Sequence, residues 1–251
     1  MTIYTNRDLF QMELEPWMQD AAAQFEKKMQ DKEKPFPCIP ATQGHQLEHF
    51  RYGFLPHPKD PASPLALAQA LEEYTKTYEA LGSYTSLILF YKNHGNELLT
   101  VKEYEEIFWN QLYTVSQQDT RSWPQHIPGD PHHVLWEFCF HEEQYFMYCG
   151  TPAHKNRKSR HFPYLMLAIT PRSVLIHFNS SKSRSSKIKT SIRKRLADYD
   201  SVPIHPDLNT YGNEDNHEWK QYFLRDDDSS LSRCPFHQLS KAKNIKTDHK
   251  E

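Results

Sequence analysis

The stretch Gly150-Thr-Pro-Ala-His154-Lys-Asn-Arg157-Lys-Ser-Arg160-His161, here called the basic loop, connects two apolar runs with the composition of β-strands. The surrounding segment 144–197 contains 12 Lys and Arg residues and no Asp or Glu, whereas 198–228 holds nine carboxylates. The basic loop is predicted to be a polar site that is held on a sheet, and its ligand is predicted to be an anion. The alternative is that the loop is a solvated turn. The two charged segments are expected to face either each other or different ligands.

Apolar periodicity and turn residues divide the rest of the chain into helices and strands. The predicted helices cover 16–34, 64–80, 100–118, 192–199 and 216–224. The predicted strands cover 83–92, 134–140, 144–149, 163–170 and 173–178. Because the strands come in a run with helices before and after, we predict an α+β fold with a mainly antiparallel sheet and helices packed against it. Residues 1–239 are expected to form one domain, and the polar tail 240–251 is expected to be disordered.

Composition excludes several classes of protein. The 251 residues carry a net charge of −2, and the seven glycines are too scattered for a GxGxxG or a P-loop motif. The four cysteines form no CxxC pair, which favours reduced thiols and a cytoplasmic location. The apolar runs are too short to span a membrane. Seven basic residues in 182–195 lack interleaved aromatic residues, so no nucleic-acid partner is predicted.

The segment His45-Gln-Leu-Glu48-His49 matches the inverted zinc-hydrolase pattern HxxEH. In that pattern two histidines one helical turn apart hold zinc, and the glutamate acts as a base. Gly44 and Gly53 shorten the helix that such a site needs. A zinc hydrolase using these three residues is therefore kept only as a minor alternative.

Two of the cysteines share an unusual setting, since Phe36-Pro37-Cys38 and Cys234-Pro235-Phe236 each place a thiol beside proline and phenylalanine. A thiolate before proline can be a ligand of heme iron. The favoured interpretation is that both cysteines are buried, meet near the two ends of the chain and close the core.

These two motifs resemble the FPC and CPF motif-containing proteins of the bacterial YqcI/YcgG family. Further matching stretches are 49–54, 151–160, 192–200 and 218–222, so the resemblance covers almost the whole chain. The family includes heme-dependent enzymes that N-hydroxylate guanidino compounds. The resemblance thus implies a heme b oxygenase that acts on a small cationic guanidino or amine substrate, with O₂ and electrons from a separate reductase.

The site residues expected under this resemblance come from the basic loop and from the acidic segment. His154 is the candidate axial ligand of the heme iron, Arg157 and Arg160 are the candidates for pairing with the propionates, and Arg51 is a further cofactor-binding candidate. Glu218 and Asp198 are expected to hold the cationic substrate. The alternative function is a heme- or anion-binding protein without turnover.

Overall fold

The computed structural model describes residues 2–93, 99–209 and 216–236. The helices of these parts are α1 (Asn6–Gln11), α2 (Pro16–Gln30), α3 (Ile39–Gln46), α4 (Ser63–Thr75), α5 (Val101–Ser116), α6 (Arg172–Asn179), α7 (Lys182–Tyr199) and α8 (Trp219–Tyr222). The strands are β1 (Arg51–Leu55), β2 (Leu87–Tyr91), β3 (Phe138–Phe140), β4 (Glu143–Gly150) and β5 (Met166–Pro171). The predicted tail 240–251 lies outside the described residues.

The strands form one sheet in the order β1-β2-β5-β4-β3. Strands β2, β5, β4 and β3 pair antiparallel, while β1 pairs parallel to β2. The predicted hairpin around 141–143 is present, and His141 and Glu142 take positive φ angles of 50° and 67° in its turn. The α+β class with a mainly antiparallel sheet is confirmed, although β1 makes the sheet mixed.

Successive side chains of each strand point to opposite faces of the sheet, so the sheet lies between two apolar cores. In β2, Leu87 and Leu89 belong to the first core, which α4, α5 and α8 cover. Ile88 and Phe90 belong to the second core, which contains the buried residues of α2. Helix α5 begins as its sequence predicts, because the Thr100 hydroxyl accepts from the Glu103 N–H at 3.2 Å in a capping box.

Some predicted elements differ in the structure. Residues 173–178, predicted as a strand, lie in α6, where Val174, Leu175 and Phe178 have the spacing of a helical stripe. A short apolar run has no clear period of its own, so its tertiary surroundings decide between helix and strand. Helix α7 is longer than predicted and begins at Lys182, and β3 is shorter and begins at Phe138.

The cysteines do not meet as predicted. Cys38 packs against the second core, whereas Cys234 is fully buried in the first core, across the sheet. All four cysteines are free thiols. The prediction that Cys38 and Cys234 together close the fold is therefore wrong. None of the described helices has the length and apolar character to cross a membrane.

Candidate functional site

The basic loop already holds an anion, which is a carboxylate of the same chain. Asp226 accepts hydrogen bonds from the backbone N–H groups of Lys155, Asn156 and Arg157, at 3.1, 2.9 and 2.8 Å. Asp200 likewise accepts from the N–H and hydroxyl of Ser159. The basic and acidic segments thus face each other, the first of the two predicted arrangements. The predicted binding of an external anion at this loop is not supported, because the chain's own carboxylates occupy its donors.

Arg157 and Arg160 are buried and bind the chain that returns from the acidic segment. Only 1% of Arg157 is exposed, and its guanidinium donates to the carbonyls of Pro203, Arg225 and Asp227 and to the Asp228 carboxylate, at 2.6–3.1 Å. The Arg160 guanidinium donates to the Gln221 and Tyr222 carbonyls and stacks over the Tyr148 ring. Neither guanidinium is positioned to pair with a heme propionate.

His154 is 1% exposed, and both of its ring nitrogens have partners. Nε2 lies 2.8 Å from the Leu224 carbonyl oxygen, and Nδ1 lies 2.8 Å from the Thr151 hydroxyl. Since a carbonyl only accepts, Nε2 carries the proton, and Nδ1 accepts from Thr151. The arrangement does not fit an axial ligand of iron, because the metal would have to displace one of these buried hydrogen bonds.

Burial also keeps this imidazole neutral, since it lowers the pKa of His154 from 6.5 to about 4. Between these values the unfolded chain binds a proton that the folded chain does not. Within that window the free energy of unfolding therefore falls by about 1.4 kcal/mol per unit as the pH decreases, and the loss stops below the folded pKa.

We therefore expect the free energy of unfolding of the wild type, measured with urea, to fall between about pH 7.5 and about pH 5.5 by roughly 1 kcal/mol more than that of His154→Gln. The other histidines contribute equally to both proteins. An identical pH dependence of the two proteins would contradict the buried, neutral state of His154.

The remaining predicted site residues lie apart from the basic loop. The Arg51 guanidinium donates to the Phe50 carbonyl at 2.8 Å and lines a surface groove beside α4. Asp198 is exposed on α7. His45 lies in α3 and pairs with Glu26 of α2 at 2.8 Å. His49 follows the end of α3 and stacks on Tyr84.

No group of three or more metal-binding side chains occurs in the described parts of the chain. Because His45 and His49 do not share a helix, they do not have the one-turn spacing that the zinc alternative requires. The structure therefore does not support a zinc hydrolase at these residues.

A cleft lies on the face of the sheet that carries the second core, between that face and helices α6 and α7. Its first part has a volume of about 250 Å³ and is called the apolar part. A second part of about 230 Å³ is also mainly apolar but carries charged side chains, and is called the polar part. The two parts adjoin, because they share four lining side chains: Phe146, Leu175, Phe178 and Ile192. A largely apolar cleft of this size with a few polar groups is the usual form of a small-molecule site.

Cys38 lines the apolar part of the cleft. It stands at the N-cap position of α3. Burial of the thiol raises its pKa, while the Ala41 N–H and the positive charge of Arg160 act in the opposite direction. Of the four cysteines, only Cys38 lines the cleft.

Glu218 lines the polar part of the cleft and is only 4% exposed. Its carboxylate accepts from the Asn216 amide at 2.6 Å and from the Gln221 amide at 3.3 Å. Lys189 and Arg193 line the same part. One end of the cleft thus presents a buried carboxylate with two cations beside it.

Sequence reasoning named Glu218, which lines the cleft, but did not predict the cleft itself. The alternation in β4 and β5 does predict which side chains share a face, such as Tyr148 with Met166 and Ala168. It does not predict that helices leave part of that face uncovered. The helical spacing of Val174, Leu175 and Phe178 was the available signal, because it places an apolar stripe of α6 toward the same face.

The fold and cleft define an α+β protein with a largely apolar cleft between a sheet face and helices. The model of the YqcI/YcgG family matches residues 25–237, and the chain belongs to that family. It is 42% identical over 248 residues to the uncharacterized protein YqcI of Bacillus subtilis, covering 97% of this chain and 96% of the relative. It is 41% identical over 241 residues to the uncharacterized protein YcgG of the same organism, covering 94% and 95%.

A more distant relative has a functional description. The putative N(omega)-hydroxy-L-arginine synthase DcsA of Streptomyces lavendulae is 25% identical over 230 residues, covering 89% of this chain and 85% of the relative. No solved structure matches the chain significantly.

Proposed function

We propose that this protein is a heme-dependent oxygenase that N-hydroxylates a small guanidino or amine compound, and that it does so in the cleft. The observation that carries the proposal is the combination found in the cleft: a thiol on the wall of an apolar cavity and a buried carboxylate in the adjoining polar part. The likeness to a putative N(omega)-hydroxy-L-arginine synthase supports the reaction type.

The residues of the cleft fit heme better than those of the basic loop. Heme needs a mostly apolar cavity and a ligand for its iron, and the cleft offers apolar side chains from the sheet and helices together with the Cys38 sulfur. Binding to iron would deprotonate the thiol. When bound, heme would supply the activation of O₂ that amino-acid side chains cannot provide.

The chain's own residues would bind and orient the substrate. A guanidinium matches a carboxylate through two parallel N–H···O bonds, and Glu218 is the buried carboxylate of the cleft. Asn216 and Gln221 hold that carboxylate in place. For an arginine-like substrate, Lys189 and Arg193 would pair with its carboxylate. The apolar part of the cleft would exclude water from the reacting nitrogen.

We expect hemin-reconstituted protein to bind arginine or a related guanidino compound, with a shift of the Soret band, and to release an N-hydroxylated product when reduced in the presence of O₂. Glu218→Gln keeps the size of the side chain and removes the charge. It should weaken binding about 10- to 100-fold, because a charge-assisted hydrogen bond is worth about 1.5–3 kcal/mol.

The matched control for this prediction is Asp198→Asn, which removes an exposed carboxylate near the end of α7. Its substrate affinity should stay within about twofold of the wild type. A stoichiometric heme complex that yields no hydroxylated product with any guanidino or amine compound would instead support the non-catalytic alternative. Protein that takes up no hemin would overturn the cofactor assignment.

A further inference from the structure

The exposed side of α7 is a basic surface without acidic neighbours on its own helix until Asp198. Five of the seven Lys and Arg residues of 182–195 are exposed, whereas Lys189 and Arg195 are half-buried, and Ser and Thr fill most of the other exposed positions. Lys182, Lys187 and Lys194 are exposed, and no carboxylate of the described residues forms an ion pair with any of them. Lys187 and Lys194 are two helical turns apart and so lie on the same side, separated by about 10 Å.

This distribution of charge is unfavourable for the helix itself. Lys182 and Arg184 lie in the first turn, where the helix dipole disfavours cations, and that turn contains no acidic residue. Arg184 and Lys187 are like-charge neighbours at helical spacing, and such a pair costs about 0.2–0.5 kcal/mol. No ion pair within the described residues accounts for the exposed Lys182, Lys187 and Lys194, whereas binding of an acidic surface does.

The opposite side of α7 faces the cleft. Ile192 and Leu196 line the cleft, and Arg193 lies at the border between the two sides of the helix. A partner bound to the exposed side would therefore be separated from the cleft by a single helix, which is about 10 Å thick. Ile176 on the neighbouring α6 is 54% exposed and adds an apolar contact point beside the basic surface.

We propose that the exposed side of α7 is the docking surface for a small acidic one-electron carrier protein, of the ferredoxin type. This inference rests on the proposed function. Hydroxylation converts N–H and O₂ to N–OH and water, and so consumes two electrons and two protons. The carrier delivers the two electrons in two docking events, and solvent supplies the protons. A nucleic acid is the competing occupant of a basic helix, but α7 has no exposed aromatic residue on which bases could stack.

The test measures binding of an acidic plant-type [2Fe–2S] ferredoxin to the full-length protein, at about 0.02 M and about 0.5 M salt. The wild type should bind at low salt, with an affinity that falls at least about tenfold at high salt. The triple variant Lys182→Glu/Lys187→Glu/Lys194→Glu should bind at least about tenfold more weakly, mainly through a slower association rate. It should fold normally, since Glu in the first turn favours the helix.

The matched control is Lys27→Glu/Lys32→Glu/Lys102→Glu, which makes the same change in net charge at exposed positions of α2, the following loop and α5. Its affinity should stay within about twofold of the wild type. Equal losses in both triple variants would overturn the proposal, as would wild-type protein that shows no salt-dependent binding. So would a DNA duplex that binds more tightly than ferredoxin at the same salt concentration. Binding requires neither heme nor turnover, so failure of the docking surface is distinguishable from failure of the proposed enzyme activity.

Discussion

Replacing Cys38 with Ala is expected to abolish the thiolate-type spectrum of the hemin-reconstituted protein and to weaken heme binding strongly. The reason is that Cys38 supplies the one thiol that lines the cleft, while the other cysteines are buried in the core on the opposite face of the sheet or in β3. The measurement is the ferrous–CO absorption spectrum, in which a thiolate ligand gives a strongly red-shifted Soret band.

Two further variants make this prediction specific. Cys38→His should retain heme but show the spectrum of an imidazole ligand, because the side chain still reaches the cleft. Cys234→Ala should lower thermal stability, as expected for a fully buried core residue, and leave the spectrum unchanged. A thiolate spectrum that survives in Cys38→Ala would show that this residue is not the ligand. A heme spectrum that is lost in a His154 variant but not in Cys38→Ala would show that the iron ligand lies in the basic loop.

The contrast between His154 and Cys38 shows what sequence reasoning can find in this chain. A histidine among cations after a strand suggests a site, and the sequence does not reveal that Leu224, 70 residues later, accepts from its Nε2–H. The partners of Arg157 are equally distant, between 46 and 71 residues along the chain. Local patterns predicted the capping box of α5 and the hairpin between β3 and β4, because neighbours in sequence decide those features. Long-range pairing decides whether a polar group is available to a ligand.

The charge pattern was informative in a different way. A basic segment followed by an acidic one predicts that the two attract each other. The observed contact is the Asp226 carboxylate, which accepts hydrogen bonds from N–H groups of the basic loop. The same pattern did not reveal that Arg157 would be removed from solvent by this contact. Burial depends on how the described residues 203–209 and 216–228 of the returning chain cover the loop, which no local property of either segment encodes.

Arg157→Ala is accordingly expected to lower the free energy of unfolding by about 3–5 kcal/mol, because it removes a buried guanidinium whose four hydrogen bonds are worth about 0.5–1.5 kcal/mol each. The guanidinium joins the basic loop to Pro203, Arg225 and Asp228, and its removal leaves their oxygens without this donor and the returning chain without its tie to the loop. In a chain of this size such a loss lowers the melting temperature by roughly 10 °C. Urea and thermal unfolding of the protein without heme measure both quantities.

The matched control is Lys155→Ala in the same loop, whose exposed side chain forms no hydrogen bond or ion pair with the described residues, so stability should change by less than about 0.5 kcal/mol. Arg157→Lys should rescue little, because a single ammonium cannot reach partners on three sides of a planar guanidinium. If Arg157 instead bound a heme propionate, Arg157→Ala would unfold like the wild type in the absence of heme and lose affinity for hemin. Stability lost before any heme is added therefore assigns Arg157 to the fold, and leaves the cleft beside Cys38 and Glu218 as the place to look for the chemistry.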